Sequence, residues 1–167
     1  MYRRQELGRW EGGTVESGRN GHTRKSGYCF VTLAERKSRF YIAILVEDRT
    51  TKNITPAIIE ALGKLPSKLV KTITFDRGKE FAEYEKFEAA LGCKTYFCDP
   101  YCAWQKGTNE NTNGLLREFY PKGMNLSEVD PEELKRNLNL LNNRPRKCIK
   151  YKTSKEELLV THRRCCT

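Results

Sequence analysis

The 167-residue chain reads as an α/β domain built on a five-stranded mixed sheet flanked by helices. Two observations predict this. The first half opens with three successive runs rich in aromatic and β-branched residues, separated by short polar turns. After them the apolar period changes, and helical stripes alternate with short buried runs. Three antiparallel strands followed by helix, strand, helix, strand and further helices is the order of a mixed sheet.

The first strand is expected over 10–16, ended by the turn Ser17-Gly18-Arg19-Asn20-Gly21. Two more lie within 27–47, in the runs Tyr28–Leu33 and Phe40–Val46, joined by the polar turn Glu35-Arg36-Lys37-Ser38. Ile54, Ile58, Leu62 and Leu65 share one helical face, with Thr55-Pro56 as a start signal. Val70–Phe75 is a short buried strand. Phe81, Tyr84, Phe87 and Leu91 form the next helical stripe, stopped by Gly92, and Lys94–Cys98 is the fifth strand. Leu115, Leu116 and Phe119 are the apolar side of a helix that starts near Glu110. Asp130-Pro131-Glu132-Glu133 is a strong helix start, and Leu134, Leu138 and Leu141 continue that helix to Arg144-Pro145. Thr153 or Ser154 caps a last short helix. This order matches the ribonuclease-H-like fold, a match of pattern that by itself assigns no function.

The length fits a single domain over 1–167. No apolar run is long enough to cross a bilayer, and the N-terminus has no signal-peptide character, so a cytoplasmic protein is expected. Basic residues outnumber acidic ones 31 to 21, a net charge of +10. The excess is clustered in Arg19, His22, Arg24 and Lys25; in Arg36, Lys37 and Arg39; and in Arg144, Arg146, Lys147, Lys150 and Lys152. Clustered arginine points to a polyanion such as nucleic acid, because neutralising phosphates releases counterions. The seven cysteines include no Cys-x-x-Cys pair. Cys98 with Cys102, and His162 with Cys165, lack a matching second half for a zinc site, so free thiols in a reducing compartment are expected.

The chemistry is carried by acids. Trp104 to Gly114 delivers Glu110 onto the first turn of an amphipathic helix, and Asp76 follows the apolar run 70–75. Either acid alone is ordinary: a carboxylate after a strand caps a turn, and one in a first turn favours the helix dipole. Together in a basic chain, with 33 residues between them, they suggest hard oxygen ligands for a divalent metal acting on phosphates.

The strings Trp10-Glu11-Gly12-Gly13, Phe75-Asp76-Arg77-Gly78-Lys79-Glu80-Phe81 and Gly107-Thr108-Asn109-Glu110-Asn111-Thr112-Asn113-Gly114 resemble the bacterial insertion-sequence transposases of the thirty family. Tyr96-Phe97-Cys98-Asp99-Pro100 and Asn142-Asn143-Arg144-Pro145-Arg146-Lys147 are similar too, and the resemblance runs from about residue 9 to about 160. It implies a DNA strand-transfer enzyme related to retroviral integrase cores. Carboxylates hold two Mg²⁺ (or Mn²⁺) ions, water frees a 3′-hydroxyl at the element end, and that hydroxyl attacks target DNA without a covalent enzyme intermediate. The second Asp and the Glu of the family fall on Asp76 and Glu110. The first Asp falls on Gly13, which has no oxygen to offer.

Two neighbours are weighed as substitutes for the missing acid. Glu11 shares the face of Gly13 but sits about 6–7 Å back along the strand, and Glu16 points to the opposite face. Weak metal binding and little or no activity are therefore expected. Lys106, Asn113, Arg117, Arg144, Arg146 and Lys147 are the expected DNA contacts, with Trp104 a packing anchor or a base-stacking residue in a mobile loop. No helix-turn-helix region precedes Trp10, so the chain is expected to be an isolated core. DNA is the expected partner, and active relatives work as homo-oligomers. The readings weighed are an impaired transposase core, a degenerate DNA-binding or transposase-inhibiting module, and a ribonuclease-H-type nuclease.

Overall fold

The computed structural model describes residues 6–18, 26–99 and 103–164, the side chains of 103, 104 and 160–164 excepted. Arg19, His22, Arg24, Lys25, Cys102, Cys165 and the side chains of Trp104 and His162 therefore lie outside the described residues.

Five strands form one sheet in the order β3-β2-β1-β4-β5. They are β1 (Arg9–Glu16), β2 (Cys29–Glu35), β3 (Tyr41–Val46), β4 (Thr72–Phe75) and β5 (Lys94–Phe97). The first three pair antiparallel, while β4 and β5 run parallel to β1, giving the mixed sheet expected. The helices are α1 (Thr51–Gly63), α2 (Tyr84–Leu91), α3 (Gly107–Leu116), α4 (Pro131–Asn143) and α5 (Ser154–Arg164).

Strand alternation sorts side chains to two cores. Trp10, Ile73 and Phe75 pack with Ile54, Ile58 and Leu62 of α1 and Phe87 of α2. On the other face Val15, Phe30, Ala34 and Ala43 pack with Leu116 of α3 and Leu134 and Leu141 of α4. Each such side chain stabilises the fold by about 1.5–3 kcal/mol when fully buried. Gly12 belongs to the first face, where a Cβ would strike the Phe75 ring. Gly13, next along, belongs to the second.

Local signals act as their chemistry predicts. Asp130 accepts the N–H groups of Glu132 and Glu133 at 3.2 Å each. Thr153 and Glu156 form a reciprocal capping box at the head of α5. Gly92, at φ +63°, closes α2 in the left-handed region. Two expectations are corrected. Helix α1 begins at Thr51, not at Thr55-Pro56, because Asp48 orders Thr50 and the Thr50 carbonyl accepts from Asn53 and Ile54. The stripe from Phe81 to Leu91 is not one helix: a short 3₁₀ turn at Lys79–Phe81 precedes α2. No helix among the described residues is long and apolar enough to cross a membrane.

Candidate active site

The site is built where β1 meets the start of α3. Glu11 and Gly13 alternate on the face of β1 that looks toward this helix. Glu11 is fully buried. Its Oε2 accepts the N–H groups of Thr108 and Asn109, both at 2.9 Å. A carboxylate from a distant strand thus satisfies donors that a helix start leaves open and opposes the positive end of the dipole. Arg36 Nε lies 2.9 Å from Oε1, off the line needed for a hydrogen bond, so that contact is ionic. Glu11 is therefore committed to holding α3.

Asn109 is the second fastening. It is buried, and its Nδ2 donates to the Glu11 carbonyl at 3.2 Å and to Thr32 Oγ1 at 3.1 Å. Its Oδ1 accepts from Asn113 Nδ2 at 3.1 Å. A Cβ on Gly13 would lie 2.8 Å from Asn109 Oδ1 and 3.4 Å from Lys106 Nζ. A side chain at 13 would thus press on Asn109 and face Lys106, which occupies the N-cap position of α3.

Lys106 joins the pieces. Its ammonium donates to Asp76 Oδ2 at 2.7 Å and to the Gly12 carbonyl at 3.1 Å. Asp76 stands just past the end of β4, half exposed. Gly13 and Asp76 therefore face the same cation from neighbouring strands. Glu110 is exposed on α3, four residues beyond Lys106 and so about one helical turn on. Glu16 points to the other face, as alternation requires, where Arg49 pairs with it and with Glu80.

Of the expected DNA contacts, Lys106 is buried and turned inward, paired with Asp76. Arg117 donates to the carbonyls of Glu16, Tyr120 and Pro121, so it fastens α3 and the following turn to β1. Burial holds its guanidinium below the usual range. Asn113 accepts from the Tyr41 hydroxyl at 2.8 Å. Arg144 is exposed and pairs with Glu118 at 3.2 Å, Lys147 is exposed, and Arg146 is partly buried with Nη2 on the Leu141 carbonyl at 3.3 Å. Arg36, Arg39 and Asn109 carry their weight through contacts remote in sequence. Only the placement of Asn109 beside Glu110 hinted at its part.

Among the described residues, no three His, Cys, Asp or Glu side chains group together to hold a metal. The donors present do not fit a two-metal centre. Residue 13 offers no side-chain oxygen, and one Asp76 oxygen already carries an ammonium.

Relatives agree with this architecture. The integrase core domain profile matches residues 3–103. The chain is 42% identical over 153 residues to transposase InsI of insertion sequence element IS30A from Escherichia coli K12, covering 92% of the chain and 38% of that protein. It is 39% identical over 144 residues to the transposase of element IS1086 from Cupriavidus metallidurans, covering 86% of the chain and 41% of the relative. The chain thus spans well under half the length of these relatives. The HTLV-2 integrase catalytic core domain, solved in complex with magnesium in a trimeric form, superposes with a TM-score of 0.66 at 17% identity, over 91% of this chain and 97% of that one. The simian T-cell lymphotropic virus intasome, in complex with a PP2A regulatory subunit, contains a chain that superposes at 0.69 with 19% identity, over 90% of this chain and 54% of that one. The fold is the ribonuclease-H-like fold of retroviral integrase cores, and the chain belongs to the integrase core domain family, on the branch of the insertion-sequence thirty transposases.

Proposed function

We propose that the chain is the catalytic core of a DNA-joining transposase whose metal-dependent chemistry is impaired at Gly13 and whose basic surface still takes DNA. The observation that carries the reading is the shared cation: Gly13 and Asp76 face Lys106 Nζ, and Glu110 follows on the helix that Lys106 caps. An acid at 13 would complete a three-carboxylate set of the kind that divalent metals need for phosphoryl transfer. Mg²⁺ or Mn²⁺ is the implied cofactor of the intact set, and the HTLV-2 core was solved in complex with magnesium. This chain lacks the acid, and Lys106 neutralises one that remains. DNA is the proposed substrate, a homo-oligomer the proposed working state, and the cytoplasm the proposed location.

The test is joining activity. Gly13→Asp is supplied with Mn²⁺ and duplexes carrying pre-cut 3′ ends of the element that encodes the chain. The expected result is strand-transfer products from the variant and none from the wild type. A folded Gly13→Asp protein that joins nothing moves the reading to the second one, a DNA-binding or transposase-inhibiting module, which the Lys106–Asp76 pair favours because it occupies a would-be ligand. Cleavage of RNA–DNA hybrid without joining would overturn both.

A further inference from the structure

Two of the three basic clusters in the sequence meet in space. The turn between β2 and β3 carries Lys37 and Arg39, and the loop after α4 carries Arg146, Lys150 and Lys152. Arg39, Arg146 and Cys148 line one cleft of about 240 Å³ together with Thr108 and Asn111 of α3, and no carboxylate is among its described lining residues. Lys37, Lys150 and Lys152 line an adjoining cleft that shares Cys148, where Glu157 pairs with Lys152 at 3.0 Å.

Three features mark the first cleft. Arg39 Nη1 donates to Thr108 Oγ1 at 2.8 Å, which fixes that guanidinium against the first turn of α3. Arg146 Nε is buried and makes no hydrogen bond among the described residues. Burial lowers the affinity of this guanidinium for its proton, Cys148 opposes that shift, and Arg39 and Arg144 add repulsion. An arginine pressed toward other arginines without a carboxylate is relieved by an anion. In addition, the non-glycine residues with positive φ among those described, Arg39, Lys150 and Tyr151, all fall on these two segments. Left-handed backbone is costly for such residues and collects where a side chain must be aimed.

We propose that the Arg39–Arg146 cleft is a phosphate site, and that it seats a backbone phosphate of DNA beside α3. The choice of DNA as the source rests on the function proposed above; the phosphate chemistry does not. The site uses no metal, and Gly107, next in sequence to Lys106, is among its lining residues.

The experiment is duplex binding by fluorescence anisotropy across a salt series, without divalent metal, for the wild type, Arg146→Gln, Arg146→Lys, Asn111→Glu and the distant control Lys64→Gln. Asn111 is exposed, so Asn111→Glu places a negative charge at the rim without disturbing packing. The slope of log affinity against log salt should fall by about 0.9 in Arg146→Gln for one lost phosphate contact. It should fall likewise in Asn111→Glu and hold in Lys64→Gln, and Arg146→Lys should keep the slope while binding more weakly. A parallel thermal scan replaces chloride with orthophosphate at constant ionic strength, and stabilisation should vanish in Arg146→Gln and Asn111→Glu. Duplex binding with unchanged slopes and no orthophosphate effect overturns the site and leaves the transposase reading standing. A wild type that ignores duplex but is stabilised by orthophosphate through Arg146 keeps the site as one for free phosphate and overturns the DNA substrate.

Discussion

The ammonium of Lys106 is held 2.7 Å from Asp76 Oδ2, on the side toward which a residue-13 side chain would project. A single positive charge thus stands between Asp76 and the bare position at residue 13. It also ties the end of β4 to the start of α3, and its second bond, to the Gly12 carbonyl at 3.1 Å, ties both to β1.

Removing that charge should favour metal. Two unit charges about 4 Å apart interact by roughly 1 kcal/mol in bulk water and about 4 kcal/mol at the effective dielectric of a protein surface. Lys106→Gln should therefore bind Mn²⁺ on the order of tenfold more tightly than the wild type, a change of about 1.4 kcal/mol. A Mn²⁺ titration followed by electron paramagnetic resonance reads this directly. Equal affinities would show that the Lys106–Asp76 pair does not govern cation binding.

Restoring the acid should make stability depend on metal. In Gly13→Asp the new Cβ presses on Asn109 Oδ1 at 2.8 Å, and the new carboxylate adds negative charge near Asp76. Without metal this should lower stability by about 1–2 kcal/mol, the scale of modest overpacking. Added Mn²⁺ should then raise the melting temperature of Gly13→Asp and leave the wild type unmoved. Equal Mn²⁺ responses would count against the arrangement.

Glu11 should matter for folding. Glu11→Ala leaves the Thr108 and Asn109 N–H groups unpaired and Arg36 without its carboxylate. Breaking a buried pair from one side costs about 3–5 kcal/mol, and Glu11→Gln should cost less because the amide oxygen still accepts. Urea midpoints in the order wild type, Glu11→Gln, Glu11→Ala, with unchanged m, are expected; a wild-type midpoint in Glu11→Ala would refute the capping role.

Alkali should weaken the fold through Cys29. Burial pushes this thiol from its ordinary 9.0 up to about 11. Between those values the unfolded chain loses the thiol proton while the folded chain keeps it. Stability from this group is therefore whole below pH 9 and is lost as pH rises through about 11. Cys29→Ala should show a shallower fall in stability over that window, measured by denaturant midpoints at each pH. In the native wild type at pH 8, mass spectrometry should find the exposed Cys148 alkylated and the buried Cys29 protected.

Much of the fold was legible because it rests on local rules. The apolar period gave the strands and helices, and Asp130, Gly92 and Thr153 sit where capping chemistry puts them. Boundaries failed where a different local competitor won: Asp48 and Thr50 start α1 ahead of Thr55-Pro56. The site was legible as residue types but not as contacts. Glu11 reaches N–H groups 97 and 98 positions away, and no spacing rule encodes that. Lys106 looks like any surface cation in the sequence, yet Asp76 and the Gly12 carbonyl draw it inside. Asn142 is another case. On a helix face read as apolar, it exchanges two hydrogen bonds with the Tyr41 backbone and so covers the edge of β3.

On β1 the carboxylate that holds α3 and the bare position beside Lys106 are successive on one face, and Asn109 links them: it donates to the Glu11 carbonyl and stands 2.8 Å from where a residue-13 Cβ would lie. A change at this one codon therefore reaches the seating of α3 through a single buried amide.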